Sequence, residues 1–402
     1  MANPIYQALP TTIFAVMSGL AQELGAINLG QGFPDESGPE AIRARAAEET
    51  LTGYNQYPPT FGLPSLREAV ARHYARFQGL ELDWKSEVTV TSGATEALAA
   101  CFLGLITPGD EVVMFQPLYD SYLPVVRRAG GVPRLARLTP PRFGLSREML
   151  EAVFTPKTRL VVLNNPLNPS ATVMSDDDLA LLAEFCVRFD AVAVCDEVWE
   201  HVVFDNHRHR PLIAFPGMRE RCVKIGSAGK MFALTGWKVG FICAAPALTS
   251  VIAKAHQFLT FTTPPNLQAA VAWGLANSDD WFASMPGALQ ASRDRLTEAL
   301  RREGFAVLPS EGTYFLNVDL AESGVAEGDM DFCLRAVKQA GVAAIPISAF
   351  YEEAPVTSLI RLCFPKRDAT LDDGARRLAK ARELSIAASR RGSVPASRRT
   401  GV

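Results

Sequence analysis

The sequence is poor in the features that mark secreted and membrane-spanning proteins. Its seven cysteines are scattered and include no C-x-x-C pair, which argues against a disulfide framework or a zinc site and favours a reducing compartment. It contains no run of about 18 uncharged apolar residues, so we expect no membrane span. The segment MANPIYQALPTTIF lacks the basic start and apolar core of a signal peptide. We therefore expect a cytoplasmic protein that does not bind membranes.

Strong net charge and a dinucleotide fingerprint are also missing. The formal net charge is only −3 over 402 residues, so we expect no nucleic-acid partner. No G-x-G-x-x-G follows the first predicted strand, which disfavours a nucleotide-binding dehydrogenase. The length of the chain allows two domains.

Short apolar runs rich in valine and isoleucine alternate with helical patterns through the middle of the chain. The runs that predict strands are residues 88–91, 111–115, 159–164, 191–195, 222–225 and 239–243. They are apolar at odd and at even positions, as in strands that are buried on both faces of a parallel sheet. The alternation predicts an α/β fold with a mostly parallel central sheet and helices on both faces.

Helices mixed with short strands follow after about residue 281 and predict a smaller α+β domain. We expect four parts. These are an N-terminal arm over 1–30 that packs with the small domain, a large domain over 31–285, a small C-terminal domain over 286–388, and a disordered basic tail over 389–402.

Polar and small residues follow the predicted strands at the edge where open α/β sheets bind ligands. The turn Ser92-Gly93-Ala94-Thr95 leads into a helix and could hold an anion, although an ordinary turn fits it equally well. Tyr119 could stack on a flat ring, or could be a half-buried loop tyrosine.

Later strands add further candidates. Asn168 lies in the rigid segment NNPLNPS and could donate a hydrogen bond. Asp196 ends an apolar strand and needs either a protonated ring nitrogen or a salt bridge as a partner. Lys230 follows small residues at a strand end and could be a Schiff-base amine, or one of many solvated lysines. Together these groups are the set that pyridoxal 5'-phosphate (PLP) requires.

Eight segments of the chain are characteristic in combination and in order. They are INLGQGFPD, YNQYPPTFGLPSLREA, TSGATEAL, LYDSY, NPLNPSATV, CDEV, SAGKMFALTGWKVG and IRLCF. On these segments the chain resembles the class I/II aminotransferases, PLP enzymes of fold type I, over roughly residues 5–385. It is most similar to the kynurenine and methionine aminotransferase branch.

The resemblance implies a role for each candidate around the cofactor ring. Lys230 would carry PLP as a Schiff base and then move the substrate proton. Asp196 would keep the pyridine nitrogen protonated, and Tyr119 would stack on the ring. Asn168 would bond the cofactor's phenolic oxygen and the substrate carboxylate.

The resemblance also implies residues for the phosphate and the substrate. Those for the phosphate are Gly93, Ala94, Thr95, Ser227 and Lys238, together with Tyr57 acting on the neighbouring subunit of a homodimer with shared active sites. Those for the substrate are Arg361 and the backbone of Gly32 at the α-carboxylate, and Phe14 at the side chain.

One position departs from the family pattern. Trp199 stands where the family usually has a tyrosine whose hydroxyl stabilises the cofactor phenolate. An indole N–H can donate a hydrogen bond but cannot accept one. The departure leaves the protonation of the cofactor imine open.

The resemblance implies transfer of an amino group from an L-amino acid to a 2-oxo acid by a ping-pong mechanism. Methionine, aromatic amino acids or kynurenine are the favoured donors, because we find no second cationic motif and several aromatic side chains are available. The main alternative is a PLP-dependent cysteine-conjugate β-lyase on the same fold. A noncatalytic PLP-binding regulator is disfavoured, because the arm is too short for a DNA-binding unit.

Histidines give no separate indication of a metal site. His207 and His209 lie in a polar segment, and we expect both side chains to be solvated.

Overall fold

The structure, a computed structural model, describes residues 2–392. Its strands in chain order are β1 Ile27–Asn28, β2 Val88–Thr91, β3 Glu111–Gln116, β4 Val132–Arg137, β5 Thr158–Asn164, β6 Val192–Asp196, β7 Cys222–Ser227, β8 Gly240–Ala244, β9 Ala306–Val307, β10 Phe315–Asp319, β11 Val342–Ala343, β12 Ile345–Pro346 and β13 Leu359–Cys363.

The helices begin and end as follows, with four short 3-10 or π segments between them. They are α1 Pro4–Gln7, α2 Ile13–Glu23, α3 Glu40–Thr52, α4 Pro64–Gln78, α5 Trp84–Glu87, α6 Gly93–Leu105, α7 Tyr122–Arg128, α8 Arg147–Val153, α9 Asp176–Arg188, α10 Ala228–Met231, α11 Pro246–Leu259, α12 Pro265–Asn277, α13 Asp279–Arg302, α14 Asp329–Arg335 and α15 Asp368–Gly392.

The chain divides into two compact units. Unit 1 comprises Met1–Pro10, Phe33–Gln290 and Ser310–Tyr314, and unit 2 comprises Thr11–Gly32, Ala291–Pro309 and Phe315–Val402. The segment predicted as an N-terminal arm is thus shared between the two units, its first ten residues clustering with unit 1.

Unit 1 contains a seven-stranded sheet in the order β2-β8-β7-β6-β5-β3-β4. Only β8 is antiparallel to its neighbours, so the predicted mostly parallel sheet is confirmed. The sequence pattern missed β4, because its residues alternate between exposed and covered instead of forming an apolar run. This strand lies at the sheet edge, where its Pro133 is tolerated.

Unit 2 contains a four-stranded antiparallel sheet, β12-β13-β10-β9, and a two-stranded parallel pair of β1 with β11. Helix α15 continues to Gly392, so the predicted tail boundary at 389 is four residues too early. Alanine and arginine are good helix formers, and ASRR continues the helix. The rest of the predicted tail lies outside the described residues.

Helix starts follow local capping chemistry. The helix predicted from residue 96 begins earlier, at Gly93, because the Glu96 carboxylate accepts the Ser92 N–H at 3.0 Å and draws the turn into the helix. Ser175 is the predicted N-cap of α9, and it forms a reciprocal capping box with Asp178.

Membrane insertion finds no support in the described part of the chain, where every helix is too short or too polar to serve as a span.

Core packing in β5 gives a first testable prediction. Leu160 is buried in this central strand. Leu160→Ala should destabilise the protein by about 2–5 kcal/mol, because it removes buried methyl groups and leaves a cavity. Urea denaturation followed by fluorescence measures the loss. The matched control is Leu103→Ala at a largely exposed leucine of α6, and an equally large loss there would contradict a burial effect.

Candidate functional site

Strand register brings the predicted residues of unit 1 to one edge of its sheet. Asn164 at the end of β5 pairs with Asp196 at the end of β6. On the other side, Gly240 at the start of the antiparallel β8 pairs with both Ser227 and Thr91. The turns that follow β2, β5, β6 and β7 therefore start from the same edge.

A tight backbone cradle forms where β2 runs into α6. Gly93 adopts φ +76°, and a Cβ there would lie 3.1 Å from Cε of Lys238. A Cβ on Gly240 would lie 2.7 Å from the carbonyl carbon of Gly93. The absence of side chains thus lets backbone N–H groups of the first turn of α6 face a bound group.

The cradle has the donor set of an anion site. Ala94 and Thr95 occupy the first turn of α6, and the exposed Lys238 stands beside Gly93. Ser227 is buried at the end of β7, and the N–H that follows it donates to the carbonyl of Val239 at 3.0 Å. Main-chain donors, hydroxyls and one ammonium fit a phosphate.

Asp196 is a buried carboxylate with one oxygen in use. Tyr122 donates its hydroxyl to Oδ2 at 2.6 Å, whereas Oδ1 is buried with no hydrogen-bond partner among the described residues. Burial raises the pKa of Asp196, and the hydrogen bond from Tyr122 acts against that rise. Asp196 forms no ion pair within residues 2–392, so the orphaned Oδ1 fits a protonated ring nitrogen as its donor.

Asn164 connects the loops after β5 and β6. Its Nδ2 donates to the carbonyl of Asp196 at 2.9 Å, and its Oδ1 accepts the N–H of Asn168 at 2.8 Å. The peptide bonds before Pro166 and Pro169 are both cis. The amide side chain of Asn168 is buried in this arrangement.

Lys230 lies in α10, directly after β7, and is half-buried. Its Nζ is 4.9 Å from the ring centre of Trp199, which is itself buried. Tyr314 packs edge-on against Trp199 at 4.7 Å and donates its hydroxyl to the backbone carbonyl of Lys230 at 3.1 Å. Lys230 therefore has a defined place beside an aromatic face.

Two further aromatic residues predicted for the cofactor are on unit 1. Tyr119 is half-buried and packs edge-on against Tyr122, with ring centres 5.7 Å apart. Tyr57 is 79% exposed and packs edge-on against Phe261 at 5.2 Å.

Arg361 lies on β13 of unit 2 and is only 1% exposed. Its guanidinium carbon is 3.8 Å from the ring centre of Phe315 and 5.2 Å from those of Phe14 and Phe350. One of its terminal nitrogens donates to the carbonyl of Gly30 at 2.9 Å. The three rings hold the guanidinium plane, as cation–π contacts do.

Gly32 lies close to the same aromatic group in unit 2. A Cβ at this position would approach Cζ of Phe315 to 2.7 Å, so a larger residue would displace the ring that stacks on Arg361.

The prediction of two solvated histidines is wrong for one of them. The side chain of His209 is 2% exposed. Its Nε2 lies 3.3 Å from Oε2 of Glu197. His207 is more open, at 3.8 Å from Glu311. The buried carboxylate of Glu197 draws His209 inward, and sequence neighbours could not reveal that partner. No cluster suited to a metal ion occurs within residues 2–392.

Sequence reasoning missed two polar partners of this site. Asn164 could have been found, because it ends a predicted strand next to the strand that ends at Asp196. The hydrogen bond from the Tyr122 hydroxyl to Asp196 has no signal in the sequence.

Comparison with known proteins identifies the family of the chain. A family model described as aminotransferase class I and II matches residues 25–378. Methionine aminotransferase of Escherichia coli is 43% identical over 92% of this chain and 96% of its own, and kynurenine–oxoglutarate transaminase 1 of rat is 34% identical over 91% and 94%. The solved structure of N-succinyldiaminopimelate aminotransferase from Mycobacterium tuberculosis is 44% identical, covers 95% of this chain and 100% of its own, and superposes with a TM-score of 0.92. The resemblance to the class I/II aminotransferases is confirmed, and relatives named for methionine, kynurenine and N-succinyldiaminopimelate are among the matches.

The cradle makes a prediction about Gly93. Gly93→Ala should weaken PLP binding by about tenfold, because the new methyl group crowds Lys238. Absorbance titration of the apoprotein with PLP measures it. Gly109→Ala is the matched control, since Gly109 also has positive φ but has open space around it. If both variants lose affinity equally, backbone strain and not the cradle is responsible.

Proposed function

Because this chain belongs to the class I and II aminotransferases, and is therefore a PLP-dependent transaminase acting on an amino acid and a 2-oxo acid, we propose a role for each residue of its site. Lys230 is the catalytic lysine and Asp196 is the partner of the pyridine nitrogen. The observation that carries this assignment is the orphaned Oδ1 of Asp196, in the same unit as Lys230 and the cradle.

PLP, when bound, supplies an aldehyde that combines with amino groups and a pyridinium ring that withdraws electrons. Asp196 would accept the ring N–H on Oδ1, because Tyr122 already donates to Oδ2. Burial and the neighbouring Asp196 raise the pKa of Tyr122 well above its ordinary value, so its hydroxyl remains a donor. Tyr122 would thereby orient the Asp196 carboxyl group so that Oδ1 faces the ring.

Lys230 moves the proton in both half-reactions. Its Nζ accepts the Cα proton of the amino donor and returns a proton when the 2-oxo acid is converted in the opposite direction. The Tyr314 hydroxyl orients the lysine through its backbone carbonyl, and the Trp199 ring orients it at Nζ. Trp199 therefore contributes an aromatic face to the cofactor site.

Seven further residues complete the cofactor site in this proposal. Tyr119 would stack on the ring, and the side-chain amide of Asn168 would donate to the phenolic oxygen. Gly93, Ala94, Thr95, Ser227 and Lys238 bind the phosphate through the donors of the cradle.

The substrate carboxylate binds Arg361, whose planar fork suits two parallel hydrogen bonds. The ring of Phe315 at 3.8 Å fixes the plane of that fork. Gly32 offers backbone without a side chain, Asn168 adds an amide, and Phe14 adds apolar surface for the donor side chain.

An apolar or aromatic amino donor suits the residues around Arg361. Phe14 and Phe350 pack edge-on at 5.7 Å and offer no charge to a second carboxylate. Methionine, aromatic amino acids and kynurenine are therefore the proposed donors. N-succinyldiaminopimelate is the second candidate, because the Mycobacterium tuberculosis relative is named for it at 44% identity.

A homodimer with shared active sites is part of the proposal. Leu51, Tyr54, Tyr57 and Phe258 are large apolar side chains that stand open to solvent on this chain, Phe258 at 86%. Such exposure favours burial against a second copy, where Tyr57 would reach the phosphate of the neighbouring subunit. We also propose a cytoplasmic location, where the seven free, buried cysteines would stay reduced.

Replacement of Lys230 tests the proposed chemistry. Lys230→Ala should lose transamination by at least about 10³-fold, in line with removal of an acid–base group, and should still bind PLP without a covalent bond. Coupled assay of 2-oxo acid formation and absorbance after borohydride treatment measure the two properties. Lys157→Ala, at an exposed lysine, should behave as the wild type. Normal turnover by Lys230→Ala would refute the assignment.

A donor scan tests the proposed specificity. We expect kcat/KM for methionine, phenylalanine or kynurenine to exceed that for aspartate by about 10²-fold, because a second carboxylate would be desolvated without a partner. N-succinyldiaminopimelate is assayed in parallel with the same 2-oxo acids. Preference for aspartate would contradict the apolar surface, and preference for the succinylated donor would select the second candidate.

A further inference from the structure

A lysine lies where lysines are rarely found, in the middle of a central strand. Lys224 is on β7, between β6 and β8, and its side chain is completely buried. Its Nζ is 2.7 Å from Oε2 of Glu197 and 2.6 Å from Oε2 of Glu200, both of which are also buried. One cation thus bridges two carboxylates inside unit 1.

Glu200 is held from two more directions. The hydroxyl of Tyr74 donates to its Oε1 at 2.8 Å, and the amide of Gln78 donates to its Oε2 at 2.5 Å. Nζ of Lys224 also lies 4.6 Å from the Tyr74 ring centre. Both oxygens of Glu200 are therefore occupied, which fixes its position.

Glu197 is held equally closely. The N–H of Leu212 donates to Oε1 at 3.1 Å, and Nε2 of His209 lies 3.3 Å from Oε2. Although burial opposes it, the charges of Lys224 and His209 lower the pKa of Glu197 to about 2. Likewise, against the effect of burial, the two glutamates raise the pKa of Lys224 above its ordinary value.

The two glutamates flank residues of the cofactor site along the chain. Glu197 directly follows Asp196, and Glu200 directly follows Trp199. The N–H of Glu197 also donates to the carbonyl of Ile225, one residue after Lys224, at 3.1 Å. The segment from Asp196 to Glu200 is thus fastened to β7 at both of its ends.

We propose that Lys224 is a positioning residue for the cofactor, acting through Glu197 and Glu200 on Asp196 and Trp199. This inference rests on the proposed function in one respect, that Asp196 binds the pyridine nitrogen. Two carboxylates buried without their cation cannot both stay ionised at low cost. Loss of Lys224 therefore forces a glutamate to take up a proton or move, and the segment that carries Asp196 and Trp199 moves with it.

Lys224→Met tests the proposal, because methionine fills a similar volume without the charge. The expected result is an approximately tenfold weaker PLP affinity and a changed absorbance spectrum of the bound cofactor, comparable to the effect of removing groups that orient ligands elsewhere. Absorbance titration of the apoprotein measures both, at a temperature where circular dichroism shows every variant folded. Lys157→Met at an exposed lysine is the matched control and should match the wild type.

A charge-balanced double variant separates positioning from simple destabilisation. Counted without His209, which no variant changes, Lys224 and its two glutamates carry a net charge of about −1; Lys224→Met makes this charge more negative, and Lys224→Met/Glu200→Gln restores it. The double variant should therefore regain part of the PLP affinity lost by the single one. Wild-type affinity and spectrum in folded Lys224→Met would overturn the inference, whatever its melting temperature.

Two milder variants decide the matter if Lys224→Met does not fold. Glu200→Gln removes one charge from the bridge, and Tyr74→Phe removes only one hydrogen bond to Glu200. Glu200→Gln should weaken PLP binding more than Tyr74→Phe, and wild-type affinity in both would overturn the inference. Failure of the wild type itself to bind PLP would instead refute the proposed function.

Discussion

A carboxylate inside a protein must be matched by donors or by opposite charge, and Asp196 imposes that constraint on unit 1. Its position at the end of β6 is the point around which the other polar groups are arranged. Tyr122 donates to Oδ2, Asn164 donates to the backbone carbonyl of Asp196, and Oδ1, which has no partner among the described residues, is the atom proposed to bind the cofactor. A buried acceptor without a hydrogen-bond partner destabilises the protein unless a bound ligand supplies the missing donor. In a family that binds a pyridinium ring, such a ligand accounts for the arrangement.

Arg361 is the opposite case in unit 2, because it is a cation buried among aromatic side chains. Three phenylalanine rings lie against the guanidinium, and one of its terminal N–H groups donates to the backbone carbonyl of Gly30. Stacking acts on the faces of the guanidinium, whereas the hydrogen bonds proposed between this arginine and a carboxylate would lie in its plane. Aspartate or glutamate in place of the rings would neutralise Arg361 and compete with that function. The choice of aromatic neighbours therefore follows from the task proposed for this arginine.

The sequence was sufficient to predict the features that depend on a regular residue pattern or on near neighbours along the chain. Apolar runs located the strands of the central sheet from β2 to β8 except β4, and the motifs at their ends identified the residues that the register then brought to one edge. Edge strand β4 was missed because its pattern is half-exposed. The partners of Lys224 and His209 were missed for another reason, since they depend on which strands and loops become neighbours. A buried lysine in the run CVKI does signal that a carboxylate must be close, but only the fold identifies Glu197 and Glu200.

Trp199 shows how a departure from a family pattern is absorbed. A tyrosine at this position would present a hydroxyl, whereas Trp199 presents a ring face to Nζ of Lys230 at 4.9 Å and an edge to Tyr314. A ring face favours an ammonium group by its quadrupole, and the larger ring also needs a fixed neighbour to hold its orientation. Tyr314 provides that contact and at the same time bonds the backbone of Lys230. Because Tyr314 contacts both the tryptophan ring and the backbone of the lysine, it links the two positions, while the indole places an aromatic face beside Lys230 where a tyrosine would place a hydroxyl.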